Sequence, residues 1–448
     1  MMKLVKLLVV FFVIAVSFSK VNAQYISLES HLYGLEYGVI TSDNRVLSYK
    51  INKLKGELEF TIKDEQLQTL FSKKQKLAPN IYKFTYEEDP EFAYLFISYG
   101  SGTGYKKILI KIDFQTGELV SYPISSTFVF PLSIRPIQDG IVMLGSLLEG
   151  DFLEIFNYKK QELYSISEFF GKDTRVWDLQ VVDDQVDLLI FTQGKKRYQE
   201  FQILSYNKEG LRTLKIPINI PKDKKLNIRS AQLLYGPYDE HKIVGTYSFK
   251  PGEWFSGYFQ IEVNEFLEQS FTKYPFKEFS GFYAFQRNSN KKRKHFHREM
   301  KLVEAVTDGE YITLAAQPVK TNKKFIHFMT LDGESNKSFD KSIKLYFNNA
   351  IYSGSYQLGN QATDVYFLFR GNDNKRNLPG EKVYKLQNGE LKSVNQVNKL
   401  YKEDSFANLL TNPKYKHWYG NKFLVFGIVQ PEAAGTSEPV FVVEVIEV

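Results

Sequence analysis

The chain has 448 residues, 43% of them hydrophobic, which is ample material for a large buried core. Its 58 basic and 51 acidic residues give a net charge of +7, and the two signs are mostly interspersed, so no charge field marks a nucleic-acid partner. Cysteine is absent, which excludes disulfides, thiolate zinc sites, thiol nucleophiles and the residue on which a lipid anchor is built.

Lys3 and Lys6 form a short basic start, and Leu7 to Phe18 is an apolar run of about a dozen residues. Val21-Asn22-Ala23 then offers small residues at the two positions a signal peptidase reads. Residues 1–23 are therefore expected to be a signal peptide, with Gln24 opening the mature chain. The run is shorter than the roughly 20 residues a membrane anchor needs, and no later stretch is long and apolar enough to span. The expected destination is the periplasm or the cell exterior. Lys3, Lys6 and Lys20 leave with the signal and reduce the charge to +4.

From there to the last residue, a pair of hairpins returns at a spacing of roughly 45–70 residues. The first hairpin joins an apolar strand to a strongly hydrophobic one through a turn bearing Asp, Gly or Asn. Ile137–Leu144, Val181–Leu189, Val306–Leu314 and Trp418–Val425 are copies. Asp-Gly between apolar runs supplies the positive backbone dihedrals that a tight hairpin requires. The second hairpin alternates apolar and polar residues on both sides of its turn, so each strand has one buried and one wetter face. Its copies are Val46–Phe60, Ile108–Tyr122, Phe152–Tyr164, Phe201–Leu214, Tyr258–Phe271, Ile326–Ile343 and Val383–Leu391.

A small sheet repeated at a fixed period cannot bury its faces alone, and stacking the copies in a ring solves that problem. The predicted fold is all-β: residues 24–448 form a single β-propeller of eight four-stranded antiparallel blades, with seven the alternative. Third strands are placed near Val46, Ile108, Phe152, Phe201, Tyr258, Ile326, Val383 and Phe441. The strand at Phe441–Val448 has no successor, and Tyr25–Glu29 is expected to supply the missing edge and lock the ring. Asp64–Lys76 is read as a short helix, because Leu67, Leu70 and Phe71 fall at helical spacing.

The chain resembles β-propeller proteins over nearly all of its mature length, and Asp113…Thr116-Gly117-Glu118 is similar to blades of the quinoprotein-type propellers. The docking tryptophans of that family are missing at the matching positions. The resemblance implies the fold and no site. The richness in Lys, Phe, Tyr, Ile and Asn resembles that of secreted proteins of the Bacteroidetes.

Arg287 and the run Lys291, Lys292, Arg293, Lys294, His295, His297 and Arg298 form the most conspicuous local cluster. It reads as an anion- or partner-binding loop, with a plain solvated insertion as the competing reading. His295, His297 and Glu299 share parity, but the surrounding cations oppose a divalent ion, so no metal site is expected. His31, His241, His327 and His417 are read as surface or packing residues.

Asp183, Asp184 and Asp187 form one acidic cluster and Glu87, Glu88, Asp89 and Glu91 another. They serve turns, or they supply acids of the kind a glycosidase needs. No Gly-x-Ser-x-Gly elbow exists, and Gly100–Gly104 reads as a hairpin turn. Trp177, Trp254 and Trp418 are candidates for an aromatic rim, with packing between blades as the alternative; the polar loop Gly371–Pro379 adds to such a rim.

The expected function is that of a monomeric, non-catalytic binding or scaffold module without cofactor, presenting a rim to an envelope protein or a glycan. The alternative is a carbohydrate-active enzyme, hydrolase or lyase, with acids converging on a central channel. A deep axial pocket with clustered acids would favour the enzyme; a shallow or plugged channel would favour the scaffold.

Overall fold

Alternating apolar residues with turn-forming Asp, Asn and Gly between them fold here into antiparallel meanders. The computed structural model describes residues 34–42, 44–100, 104–147, 150–166, 171, 173–193, 199–221, 226–235, 240–249, 254–283, 299–307, 310–319, 325–344, 365–372, 379–387, 390–396, 410–430 and 440–447. Eight antiparallel sheets lie among them, six of four strands and two of three, each in chain order.

Sheet 1 holds β1 (Leu35–Thr41), β2 (Val46–Asn52), β3 (Glu57–Lys63) and β4 (Thr69–Lys76). Sheet 2 holds β5 (Ile81–Glu88), β6 (Phe92–Tyr99), β7 (Lys106–Asp113) and β8 (Leu119–Ile124). Sheet 3 holds β9 (Ser133–Ile137), β10 (Gly140–Leu147), β11 (Gly150–Asn157) and β12 (Glu162–Ile166). Sheet 4 holds β13 (Thr174–Val182), β14 (Gln185–Gln193), β15 (Gln199–Asn207) and β16 (Arg212–Ile218). Sheet 5 holds β17 (Asn227–Tyr235), β18 (His241–Ser248), β19 (Gly257–Val263) and β20 (Gln269–Pro275). Sheet 6 holds β21 (Met300–Thr307), β22 (Ile312–Pro318), β23 (Phe325–Leu331) and β24 (Lys337–Lys344). Sheet 7 is β25 (Val365–Asn372), β26 (Pro379–Gln387) and β27 (Glu390–Gln396), and sheet 8 is β28 (Thr411–Tyr419), β29 (Lys422–Val429) and β30 (Val440–Glu447).

The core lies between sheets. Ile40, Leu47 and Leu58 of sheet 1 share one apolar cluster with Leu95, Ile97 and Ile110 of sheet 2. Equivalent clusters join sheets 2 and 3, 3 and 4, 4 and 5, and 5 and 6. The first strands follow one another, β1 against β5, then β9, β13, β17 and β21. Lys341 of β24 lies 5.7 Å from the Tyr384 ring of β26, linking sheets 6 and 7.

Chain end then meets chain start. Val39 and Val46 share a cluster with Trp418, Leu424, Phe426 and Val443, and Tyr37 stacks on Phe441 at 5.4 Å. Sheets that lean on both neighbours and close on themselves make a β-propeller, as the repeats predicted. A two-sandwich alternative would concentrate its core between two large sheets, which is not seen.

The helix expected over 64–76 is not formed. Its second half is β4, the outer strand of sheet 1, paired with β3 from Glu57↔Lys76 to Lys63↔Thr69. Most β4 side chains are exposed, so no alternating pattern marked it as a strand. Leu67, counted toward a helical stripe, sits in the turn at φ 60°, held where Asp64 Oδ1 accepts the Gln66 and Gln68 N–H groups. As a consequence Val46–Asn52 is the second strand of its sheet; the third is Glu57–Lys63.

The same turn device recurs. Asp64, Asp113, Asn157, Asn207, Asn264 and Asp332 close the third strands of sheets 1 to 6, and each side-chain oxygen accepts a turn N–H at 2.8–2.9 Å. Short Asx side chains satisfy a hairpin turn's own backbone donors, which explains their selection there. Tyr25–Glu29, proposed as the closing edge, lies outside the described residues, as do the predicted signal peptide and His31. No helix among the described residues is long and apolar enough to cross a membrane.

Candidate functional site

The first strands bring charged side chains from distant parts of the chain to the middle of the ring. The Arg135 guanidinium of β9 is paired with the Glu87 carboxylate of β5. Lys416 of β28 is paired with Glu88, which also accepts the Thr41 hydroxyl at 3.4 Å. Asp178 of β13 reaches across to sheet 5: its Oδ2 accepts the Leu233 N–H at 2.8 Å and the Gln180 amide at 3.1 Å, and its Oδ1 accepts the Leu179 N–H at 2.9 Å. Glu304 of β21 makes no such bond among the described residues.

Register shifts precede both Asp178 and Glu304, at Val176/Asp178 in β13 and Leu302/Glu304 in β21. A bulge changes which way the following side chain is aimed, and bulges of this kind are common beside functional sites. Burial pushes the Glu87 and Asp178 carboxyls above their ordinary values, with Arg135 opposing both. Glu304 is pushed up to about 7, first by burial and then by the Asp178 carboxylate.

That shift has a sign that can be checked. From the ordinary value near 4.5 up to about 7, the unfolded chain ionises Glu304 while the native chain resists, so native stability falls as pH rises through this window. Glu304→Gln, neutral throughout, should remove the slope and stabilise the protein by about 2 kcal/mol above pH 7. Urea unfolding of both proteins at pH 5 and pH 8 tests this; equal midpoint differences at the two pH values would refute it.

A second polar region lies on the face where the first and third turns of each meander emerge. A cleft of about 490 Å³ is lined by Asp89, Glu91, Phe92, Tyr94 and Lys111 of sheet 2, by Pro136–Asp139, Tyr158 and Lys159 of sheet 3, and by Asp183. A neighbouring cleft of about 350 Å³ runs from Ser42, Asn44 and Arg45 of sheet 1 to Glu91, Phe92 and Asp113–Gln115 of sheet 2. Lys111 Nζ stands 3.5 Å from the centre of the Phe92 ring and 4.3 Å from that of Tyr158. Burial lowers its pKa, while Asp89 and Asp113 oppose the shift.

Trp418 is buried, 6% exposed, and its Nε1–H donates to the Ser42 carbonyl at 2.9 Å. Trp177 stacks on Phe191 at 4.8 Å and meets Phe201 edge-on at 5.0 Å within the packing of sheets 4 and 5. Both rings pack against apolar neighbours, Trp418 fully and Trp177 in part, as flat rings do between twisted sheets. Trp254 is 40% exposed. Arg287, Lys291–Lys294, His295, His297 and Arg298 lie outside the described residues. Most of the Gly371–Pro379 loop lies outside them as well.

The acidic clusters divide. Asp183 and Asp184 are exposed in the β13–β14 turn as expected, but Asp187 is fully buried in β14. Its Oδ2 accepts the Tyr235 hydroxyl at 2.7 Å and lies 3.0 Å from His241 Nε2. Asp178, Arg135, Glu304, Lys416 and Lys111 were missed by the sequence reading, since each lies in an ordinary strand and acts on at least one partner from another sheet.

No family model matches the sequence, and no curated protein does. Among solved structures, the chain is similar to dipeptidyl peptidase 4 of Porphyromonas gingivalis, at 10% identity and a TM-score of 0.49, covering 93% of this chain and 59% of that one. It is similar to the polysaccharide lyase Uly1 at 10% identity and a TM-score of 0.46, covering 83% and 91%. It is also similar to the β-propeller domain of the Trilobed protease from Pyrococcus furiosus, at 9% identity and a TM-score of 0.42, covering 77% and 90%. Likeness at this level carries no activity across.

Proposed function

We infer that this propeller is an exported, non-catalytic binding module, working in the periplasm or outside the cell on an envelope protein or a glycan. The observation that carries the reading is the use made of the axial charges. Glu87 and Glu88 are occupied by Arg135 and Lys416, and Asp178 clamps sheet 4 to sheet 5, so these three acids hold inner strands together. A rigid ring held in this way offers its turn-bearing faces for contact.

Glu304 is the observation on the other side. A carboxyl titrating near neutrality beside a second carboxyl is suited to general acid–base chemistry, and this sustains the second reading, a glycan hydrolase or lyase. The two readings separate in one experiment. The purified protein is incubated with envelope polysaccharides, and both retention and chain length are followed. Retention without new reducing or unsaturated ends is expected; shortened products lost in Glu304→Gln would overturn the binding reading.

The basic segment 287–298 is proposed as an accessory anion- or partner-binding loop, and Trp254 as a contact residue. Both roots of the loop are pinned: the Gly281 N–H donates to Asp340 Oδ2 at 2.5 Å, and Glu299 pairs with Arg229 at 2.6 Å. Deleting residues 288–298 should therefore leave the melting temperature nearly unchanged while weakening retention on an anionic matrix. A large drop in melting temperature would reject a surface loop.

A further inference from the structure

The two clefts on the turn-bearing face share Glu91 and Phe92, so they flank the β5–β6 turn as one groove from sheet 1 to the Asp183 turn of sheet 4. Within it, most polar groups have partners. Asp139 is paired with Lys159 at 2.7 Å, and Asp89 accepts the Tyr94 hydroxyl at 2.7 Å together with the Glu91 and Phe92 N–H groups. Asp113 accepts turn N–H groups of Gln115 and Thr116, and Arg45 donates to the Phe114 carbonyl at 2.5 Å.

Three charged heads are left over. The Lys111 ammonium touches only ring faces and meets no hydrogen-bond acceptor among the described residues, although it carries three N–H donors. The Glu91 and Asp183 carboxylates are exposed at the rim and accept nothing from the described residues. A free donor in the wall and free acceptors at the rim call for a ligand group that both accepts and donates, which is the property of a hydroxyl.

Charge narrows the class further. Asp89, Glu91, Asp139 and Asp183 outnumber Lys111 and Lys159 around the larger cleft, which opposes a polyanion, while Lys111 in the wall opposes a cation. The groove is built from hairpin ends, so it offers no free strand edge of the kind that captures an extended peptide. Its two clefts, about 490 and 350 Å³, leave room for a ligand of several linked sugar units.

We propose that this groove binds a neutral oligosaccharide, with Lys111 donating to ligand oxygens and Glu91 and Asp183 accepting from ligand hydroxyls. The inference rests on the binding reading above and names its site and ligand chemistry.

Titration calorimetry of the full chain with cellohexaose, xylohexaose, mannohexaose and maltohexaose is the test, with trigalacturonate and hexalysine as charged probes. At least one neutral hexasaccharide should bind, and Lys111→Met should weaken it about tenfold or more, as expected for loss of a hydrogen bond from a charged donor. Asp183→Asn and Glu91→Gln guard against a folding artefact. Both positions are exposed, and Asn tolerates the φ of 52° at residue 183. Each should weaken binding several-fold with an unchanged melting temperature. Failure of all four neutral probes, or binding of hexalysine or trigalacturonate in their place, overturns the proposal. Neutral binding that ignores all three substitutions also overturns it, while leaving the broader binding reading standing. Shortened sugars would sink the non-catalytic reading and leave the site intact.

Discussion

Replacing Trp418 with alanine should cost about 3–5 kcal/mol of unfolding free energy, a range typical of a buried aromatic ring removed from a core. The loss is expected to be at the high end because the ring closes the propeller. It fills the junction of sheets 8 and 1 against Val39, Val46, Leu424, Phe426 and Val443. Its Nε1–H also satisfies the Ser42 carbonyl at 2.9 Å, and truncation leaves that acceptor facing a cavity. Opening this junction would expose apolar faces on both sheets at once and undo the meeting of chain start and chain end. Trp418→Phe should retain most of the packing and lose about 1 kcal/mol through the missing hydrogen bond. Trp254→Ala, at a 40% exposed position, should stay within about 0.5 kcal/mol. Urea denaturation of the three variants decides the matter: equal losses for Trp418→Ala and Trp254→Ala would show that the closing contact is not made.

Asp187→Ala should be of similar size, about 3–5 kcal/mol, because it breaks a buried charged cluster by removing the shared partner. Asp187 is fully buried, and the Tyr235 hydroxyl and His241 ring would lose their acceptor at the boundary of sheets 4 and 5. Burial alone would raise the Asp187 pKa, but the hydrogen bonds it shares with His241 and Tyr235 outweigh it and hold the carboxyl below its ordinary value. A carboxyl with a depressed native pKa stabilises the fold above its unfolded value, and that contribution is lost as pH falls below about 4. Asp340 behaves alike: burial pushes it up, yet His327, Lys337 and the Gly281 N–H hold it at about 2.

His327 adds to the same trend from higher pH. Burial pushes its ring below the ordinary value despite Asp340, so below about 6.5 the unfolded chain takes up a proton that the native chain refuses. Acid should therefore destabilise the protein outright between about pH 4 and pH 2, while His327 offsets part of the opposite Glu304 slope below about pH 6.5. Asp187→Asn should shallow the loss between about pH 4 and pH 2 and leave the slope above about pH 4.5 unchanged. A pH series of urea midpoints that is flat from 4 to 2 would contradict the Asp187 and Asp340 assignments.

Glu304 works in the opposite direction, since its raised pKa erodes stability as pH rises toward 7. The pH optimum of stability is thus set by buried groups on different sheets, each read from its own surroundings.

How far these features were visible beforehand varies with their physical origin. Hairpins such as Ile137–Leu144 and Ile108–Tyr122 were plain, because period-two alternation and Asp-Gly turns are local consequences of a half-buried strand. The outer strand β4 was not plain. Exposed almost throughout, it needs no apolar alternation, and Leu67 and Phe71 happened to mimic a helical stripe. A usable signal was present all the same: the Asp or Asn closing each third strand, from Asp64 to Asp332, would have set the register of sheet 1 correctly.

The site residues were hidden for a different reason. Asp178, Arg135 and Glu304 come from sheets 4, 3 and 6, and nothing in a strand's own alternation records what stands across a ring. Asp187 looked like one more turn acid because it follows Asp183 and Asp184, although two strand residues, Gln185 and Val186, carry the chain from the solvated turn into the buried pleat.

Local patterning alone therefore established an all-β chain built from repeated hairpins, because alternation and turn chemistry act over a few neighbouring residues. Closure through Trp418, the pairing of axial charges and the Lys111 groove were decided by tertiary structure. Each depends on side chains separated by tens to hundreds of residues, whose burial and charge environment exist only once the sheets have stacked.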